Sequence, residues 1–223
     1  MTAGTNLQSQ VRSLGPRGRS LIFRSFLPFA ARFLYRHPTR LRQLREYWLD
    51  YNARYGNLAS LTGTPIEQAE AVLYHLECLD PHFQEVTRSR GGVDLNHIVS
   101  YAIVRLMQPE IMVETGVHEG WSARFTLLAM DHNGRGVLHS IDLPNQPGEL
   151  LPEGKEPGYR VPHDLRSHWR LHLGDARELL PRLLPTLGPI DIFVHDSLHT
   201  YDHMMFEFRT AWPYLREGGI LIL

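Results

Sequence analysis

Ile111-Met112-Val113-Glu114-Thr115-Gly116-Val117-His118-Glu119-Gly120-Trp121-Ser122-Ala123 is the stretch whose reading decides the fold. Ile111 to Val113 form a short apolar run suited to a buried strand, and the run ends in an acid, Glu114. Gly116 and Gly120 follow at a spacing of four, and from Trp121 to about Met130 the chain can be helical. A strand that breaks on glycine and turns into a helix aims free backbone N–H groups at one point, the arrangement of a nucleotide-type cofactor site. The acid narrows the choice of cofactor. A carboxylate before the turn repels a pyrophosphate but accepts hydrogen bonds from ribose hydroxyls or an ammonium group. The glycine spacing also departs from G-x-G-x-x-G, the dinucleotide fingerprint.

From residue 110 onward the pattern alternates. Strands are expected at 111–114, 137–141, 169–173, 190–195 and 219–223, and helices at 121–131, 176–187 and 201–215. Such alternation is the signature of an α/β protein with a doubly wound, mostly parallel sheet, whose ligands sit beyond the carboxyl ends of the strands. Residues with chemistry fall at those ends. The second strand runs into Asp142, 28 residues after Glu114, and a carboxylate there can take both hydroxyls of a ribose. The third runs into Gly174-Asp175-Ala176, where Asp175 also suits the N-cap of the next helix. The fourth empties into His195-Asp196-Ser197-Leu198-His199-Thr200-Tyr201. An apolar run thus ends in an acid, a hydroxyl, a histidine and a tyrosine within six residues. His195 points to the opposite side of the strand and reads as structural.

These segments resemble class I S-adenosylmethionine-dependent methyltransferases. Glu114, Gly116, Gly120 and Ser122 match the first motif as it stands in catechol-type and sugar- or antibiotic-modifying O-methyltransferases. The segment from Asp196 through His199 to Tyr201 resembles the D-x-x-H-x-Y of the metal-dependent members, and Pro213 to Gly219 the turn before their fifth strand. The resemblance implies a Rossmann-like methyltransferase fold and S-adenosylmethionine as cofactor. It implies cofactor contacts at Glu114, Gly116, Gly120, Ser122, Asp142, Asp175 and Ala176. It further implies a magnesium-like ion on Asp196, His199 as general base, and a small-molecule hydroxyl as methyl acceptor. The family sheet has seven strands, and two further metal ligands follow the fifth. A chain that stops at Leu223 is therefore expected to be truncated in that strand and to supply one metal ligand.

The rest of the chain bounds these readings. The division expected is 1–94, a basic tail and helical region, and 95–223, the cofactor-binding domain. Residues 1–60 carry ten arginines against Glu46 and Asp50, a charge of +8, while the remainder carries −9. Apolar residues Leu21, Phe26, Phe29, Phe33 and Leu34 lie between those arginines. They suit helices packed on the domain or on a second copy in a homo-oligomer. An acidic membrane surface is the weaker alternative, and nucleic acid is disfavoured because no motif for it is present. One helix is expected to start at Thr64-Pro65-Ile66-Glu67, with Thr64 as N-cap, and another at Asp94. A single cysteine, no signal peptide and no long apolar span place the protein in the cytoplasm. Residues 143–167 hold five prolines and three glycines, an insert expected to act as a lid or substrate-selecting loop with Tyr159, Arg160 and His163 as contacts. Two rivals remain. An oxidoreductase using NAD needs the absent dinucleotide spacing; a non-catalytic cofactor-binding module or partner subunit does not.

Overall fold

Short β-rich apolar runs alternate with longer amphipathic ones over the second half of the chain, and the structure turns that alternation into one parallel sheet. The structure is a computed structural model that describes residues 55–90, 95–145 and 151–223. The arginine-rich segment before residue 55 and the cap expected at Asp94 lie outside those residues. The chain divides into two units, Met1–Val93 and Asp94–Leu223.

In the first unit residues 55–62 are helical, followed by α1 (Ile66–Leu79) and α2 (Pro81–Arg90). Ala69, Leu73 and Leu76 on α1, and Phe83 and Val86 on α2, are buried at helical spacing. Thr64 is not the cap of α1, contrary to expectation. Its hydroxyl bonds that of Thr62 at 2.8 Å, and Pro65, extended at ψ 144°, stands at the N-cap position. Asp80-Pro81, which reads as a stop in the sequence, is also a start. Asp80 Oδ1 accepts from the N–H of Phe83 at 2.8 Å, and the missing N–H of Pro81 costs nothing at a first helical position.

The second unit runs α3 (Leu95–Met107), β1 (Ile111–Thr115), α4 (Trp121–Asn133), β2 (Val137–Asp142), a 3₁₀ turn (His163–His168), β3 (Trp169–Leu173), α5 (Ala176–Leu187), β4 (Ile190–His195), α6 (Tyr201–Ala211) and β5 (Leu215–Ile222). The five strands are all parallel in the order β3-β2-β1-β4-β5. Strand order reverses between β1 and β4, so the crevice beyond their carboxyl ends is the ligand position of an open α/β sheet. Val113, Ile141 and Phe193 share one face and pack with Ala176, Leu180 and Leu184 of α5 and Ala211 of α6. The alternate residues Met112, Glu114, Leu138, Ser140 and Ile192 point to the other face.

Two boundaries depart from expectation. The helix read as 201–215 ends at Ala211 in a 3₁₀ turn over Trp212–Tyr214. β5 begins at Leu215 rather than 219, because Leu215 pairs with Ile190, the register then shifts, and regular pairing resumes at Ile192 with Ile220. Gly218, at φ +72°, lies in that irregular stretch. The amino ends of the strands are tied by Asp191. Its Oδ2 accepts from the N–H of Glu110 (2.7 Å) and Ile111 (2.9 Å), and its Oδ1 from the guanidinium of Arg216. Among the described residues no helix is long and apolar enough to cross a membrane.

Replacing Asp191 with alanine leaves two strand-start N–H groups without their acceptor. It is expected to cost about 1–3 kcal/mol in urea unfolding. An unchanged midpoint would remove Asp191 from this account.

Candidate functional site

The turn after β1 is bound on both sides. The N–H of Gly116 donates to the carbonyl of Ile141 on β2 at 2.9 Å, and the carbonyl of Thr115 accepts from the N–H of Asp196, just past β4, at 2.8 Å. Gly116 has φ +84°, and a Cβ there would stand 2.1 Å from the Asp196 carbonyl oxygen. Gly120 has φ +94°, and its Cβ would meet the Gly158 Cα at 2.7 Å. Both positions need glycine for backbone shape and close approach. The groups that approach in the Cβ direction belong to the chain itself.

Asp142 ends β2 and faces the turn. Its Oδ2 accepts from the N–H groups of Val117 (2.8 Å) and His118 (2.7 Å), and its Oδ1 from that of Leu143 (2.8 Å). The N–H of Gly120 is also taken, by the carbonyl of Val117 at 2.9 Å. Within the turn, the N–H groups of Gly116, Val117, His118 and Gly120 thus have partners in the chain, two of them on Asp142. The first turn of α4 differs. It starts from Gly120 with no side-chain cap, and Ser122 lies there half-buried among N–H groups that have no intrahelical acceptor.

Glu114 is buried on the face opposite α5. The Ser140 hydroxyl donates to its Oε1 at 2.6 Å, and the Trp169 indole N–H donates in turn to the Ser140 oxygen at 2.7 Å. Burial is the main cause that pushes the Glu114 carboxyl up from an ordinary 4.5 to about 8, with repulsion from Asp196 and Asp142 adding and the Ser140 bond opposing. Three acids from β1, β2 and β4 thus meet at the reversal of strand order.

The loop after β4 carries Asp196 and His199. His199 Nε2 lies 3.5 Å from Asp196 Oδ1, and the two side chains are 64% and 60% exposed. Beneath them His195 is buried, and its Nδ1 is 2.6 Å from Oε2 of Glu207, which is itself fully buried. Among the described residues no group of three or more His, Cys, Asp or Glu side chains could hold a metal ion. Asp175 is exposed and caps α5 by accepting from the N–H of Arg177 at 2.8 Å, while Ala176 is buried behind it.

The insert between β2 and β3 is fastened over the turn. Gly158 N–H donates to the His118 carbonyl (2.8 Å) and Arg160 N–H to the Glu119 carbonyl (3.0 Å). The Glu119 side chain accepts from the Tyr159 hydroxyl, from the Trp121 indole at 2.8 Å, and pairs with Arg160 at 3.1 Å. The Tyr159 bond above all holds the Glu119 carboxyl down at about 2. Tyr159 and Arg160, expected as substrate contacts, are both engaged by Glu119, and His163 is exposed at the start of the 3₁₀ turn.

Residues 113–223 match a family described as a methyltransferase domain. The chain carries a methyltransferase domain. No curated protein matches the chain. Among solved structures it is similar to the Podospora anserina methyltransferase PaMTH1, bound to SAH (15% identity, 69% of this chain and 60% of that one, TM-score 0.43). It is similar to the O-methyltransferase TomG from Streptomyces achromogenes, involved in tomaymycin synthesis, in complex with SAM (17%, 68% and 70%, TM-score 0.46). It is also similar to the MycE methyltransferase from the mycinamycin biosynthetic pathway, in complex with Mg and SAH (20%, 75% and 36%, TM-score 0.38). The chain thus spans about 60% and 36% of the lengths of PaMTH1 and MycE.

Within the methyltransferase domain, sequence reading missed Ser140, Trp169, Glu119 and Glu207. Ser140 carries a weak signal, since it pairs with Glu114 in the register of adjacent parallel strands. Glu207 carries another. It stands four residues after His203 and four before Ala211, on the face of α6 where all three are buried.

The raised Glu114 carboxyl has a consequence for stability. The folded chain keeps a proton there that the unfolded chain gives up above about 4.5, so this contribution is full below that pH and is lost as pH rises toward about 8. Thermal unfolding of Glu114→Gln is expected to match the wild type most poorly at the alkaline end, the variant gaining on it between about pH 5 and 8. Parallel curves would mean that Glu114 does not titrate in this way.

Proposed function

We propose that the protein transfers the methyl group of S-adenosylmethionine to a hydroxyl of a small molecule. The observation that carries this reading is the convergence of Glu114, Asp142 and Asp196, with Glu114 so desolvated that its carboxyl rises to about 8. Such a field disfavours a pyrophosphate and suits a ligand that brings positive charge. S-adenosylmethionine carries a sulfonium and an ammonium group and no phosphate, and its sulfonium supplies a methyl already activated for transfer.

The chain's own residues then have distinct tasks. Glu114 ionises against the ligand's positive charge and offsets it. Ser122 and the first-turn N–H groups of α4 receive the carboxylate of the methionine part. Asp142 holds the turn in shape with three of its acceptor positions, and the one left, on Oδ1, accepts from a ribose hydroxyl. Leu143, just past β2, and Leu173, the last residue of β3, are exposed apolar side chains that flank the base together with Asp175, while Ala176 packs in the core behind it. His199 takes the proton of the acceptor hydroxyl, and Asp196 orients the imidazole from 3.5 Å. A divalent cation needs several oxygen ligands, and Asp196 is the one carboxylate that this loop offers. The described residues do not complete a magnesium site. A cytoplasmic location fits the single cysteine of the sequence.

Titration calorimetry with S-adenosylmethionine and S-adenosylhomocysteine, with and without magnesium, tests the cofactor. Binding of both is expected, and no heat from either would end the proposal. Magnesium-dependent binding would restore a metal role for Asp196. A panel of sugar, phenol and polyketide hydroxyl acceptors tests the chemistry. His199→Ala is expected to lower turnover by about 10²–10⁴-fold while leaving cofactor affinity intact. Cofactor binding with no turnover of any acceptor by the wild type would favour a non-catalytic partner subunit.

A further inference from the structure

Glu207 sits in the middle of α6 with its carboxylate fully buried, and four polar groups converge on it. Its Oε2 accepts from the Thr115 hydroxyl at 2.6 Å and meets His195 Nδ1 at 2.6 Å. Its Oε1 accepts from the Ser197 hydroxyl at 2.7 Å and meets His203 Nε2 at 2.9 Å. Four is about the number of acceptor positions that a carboxylate offers. An acceptor-only group in this position fixes the two hydroxyls as donors and places ring N–H groups on His195 Nδ1 and His203 Nε2.

The partners come from three separate elements. Thr115 is the last residue of β1, directly before Gly116. His195 closes β4, and Ser197 lies between Asp196 and His199. His203 belongs to the first turns of α6, one turn before Glu207. The His195 ring also stands edge-on to the His199 ring, with centroids 5.1 Å apart, and edge-on to Phe208 at 5.6 Å. Asp196 and His199 are themselves largely exposed. Exposed side chains on a loop hold one geometry only if the backbone beneath them is ordered by something else, since ordering each residue costs about 1–2 kcal/mol of entropy. The buried hub supplies that order from below. It grips the loop by Ser197, supports His199 through the His195 ring, and ties both to the end of β1.

We propose that Glu207 is a positioning residue that holds the loop bearing Asp196 and His199 at the carboxyl end of the sheet. What Asp196 and His199 do there rests on the methyl-transfer reading; the anchoring itself does not.

The test uses the full chain with Glu207→Gln, which keeps the volume but turns one acceptor oxygen into an amide NH₂. In the wild type, the His195 Nδ1–H and His203 Nε2–H protons are expected as strongly downfield NMR signals, and the substitution removes them. Amide exchange over residues 196–200 is expected to rise about 10-fold or more, while that of Ile192 to Val194 stays as in the wild type. S-adenosylhomocysteine still binds. With an acceptor from the panel, kcat falls on the order of 10²-fold and KM for S-adenosylmethionine is unchanged. A variant with wild-type exchange over 196–200, or with persistent downfield signals, overturns the proposal. So does uniform loosening of the whole sheet, which marks a purely structural role. Should Glu207→Gln fail to fold, Ser197→Ala removes a single donor, and unchanged exchange over 196–200 in that variant also overturns it. Failure of the wild type to bind S-adenosylhomocysteine sinks the methyl-transfer reading instead, and the exchange and ring signals still decide the anchoring.

Discussion

The turn after β1 is stitched to both neighbouring strands, and the rest of the site depends on that stitching. On one side Ile141 and Asp142 of β2 take the N–H groups of Gly116, Val117 and His118. On the other, the peptide of Asp196 approaches so closely that position 116 has no room for a side chain. A parallel sheet leaves each strand end with unpaired backbone groups, and buried ones must find partners. Here they find them in residues to which the proposed function gives a task. Asp142 accepts two of the turn's N–H groups, and Asp196 is held beside the turn because its own N–H bonds Thr115.

The same constraint accounts for the insert. Gly158 lies against Trp169 and Gly120 with no space for a Cβ at any reasonable distance, and Trp169 leads by way of Ser140 to Glu114. The segment that covers the turn is thus packed on the indole whose N–H begins the hydrogen-bond chain into the buried acid. Glu119, in the turn itself, fastens the segment through Tyr159, Trp121 and Arg160. Whatever displaces the insert also disturbs the polar chain that ends at Glu114.

Most of the sheet was legible because its strands are apolar runs bounded by glycine, proline and acids, and such runs have few other places to go. Ile190 to His195 and Trp169 to Leu173 have the bounds that their sequence suggests. The start of β5 was not legible. Leu215 joins the sheet across an irregular stretch, and nothing in Arg216-Glu217-Gly218 has strand character. Thr64 is not the cap because α1 starts at Ile66, which puts Pro65 at the N-cap position and leaves Thr64 bonded to Thr62. Among site residues, those at strand ends could be named from position alone. Ser140, Trp169 and Glu207 could not, because their roles come from partners 26, 29 and 92 residues distant in sequence, contacts that only the register and helix packing create. Tyr159 and Arg160 show the converse. A proline-rich insert announces itself, but which of its polar groups remain available is decided by Glu119.

Two buried glutamates on neighbouring elements show how the fold separates scaffold from site. Glu207 has two hydroxyls and two imidazole nitrogens within hydrogen-bond range, so its lone pairs are satisfied by the protein alone. Glu114 has the Ser140 hydroxyl as donor and two further acids close enough to raise its carboxyl. Burying a carboxylate is costly unless donors or a counter-charge offset the loss of water. For Glu207 the offset is built into the chain. For Glu114 the chain supplies a proton instead, and an arriving cation makes that proton dispensable. On the proposed methyl transfer, the acid with few partners is the one that meets the ligand's positive charge, and the acid with a full set is the one that anchors the loop beside it.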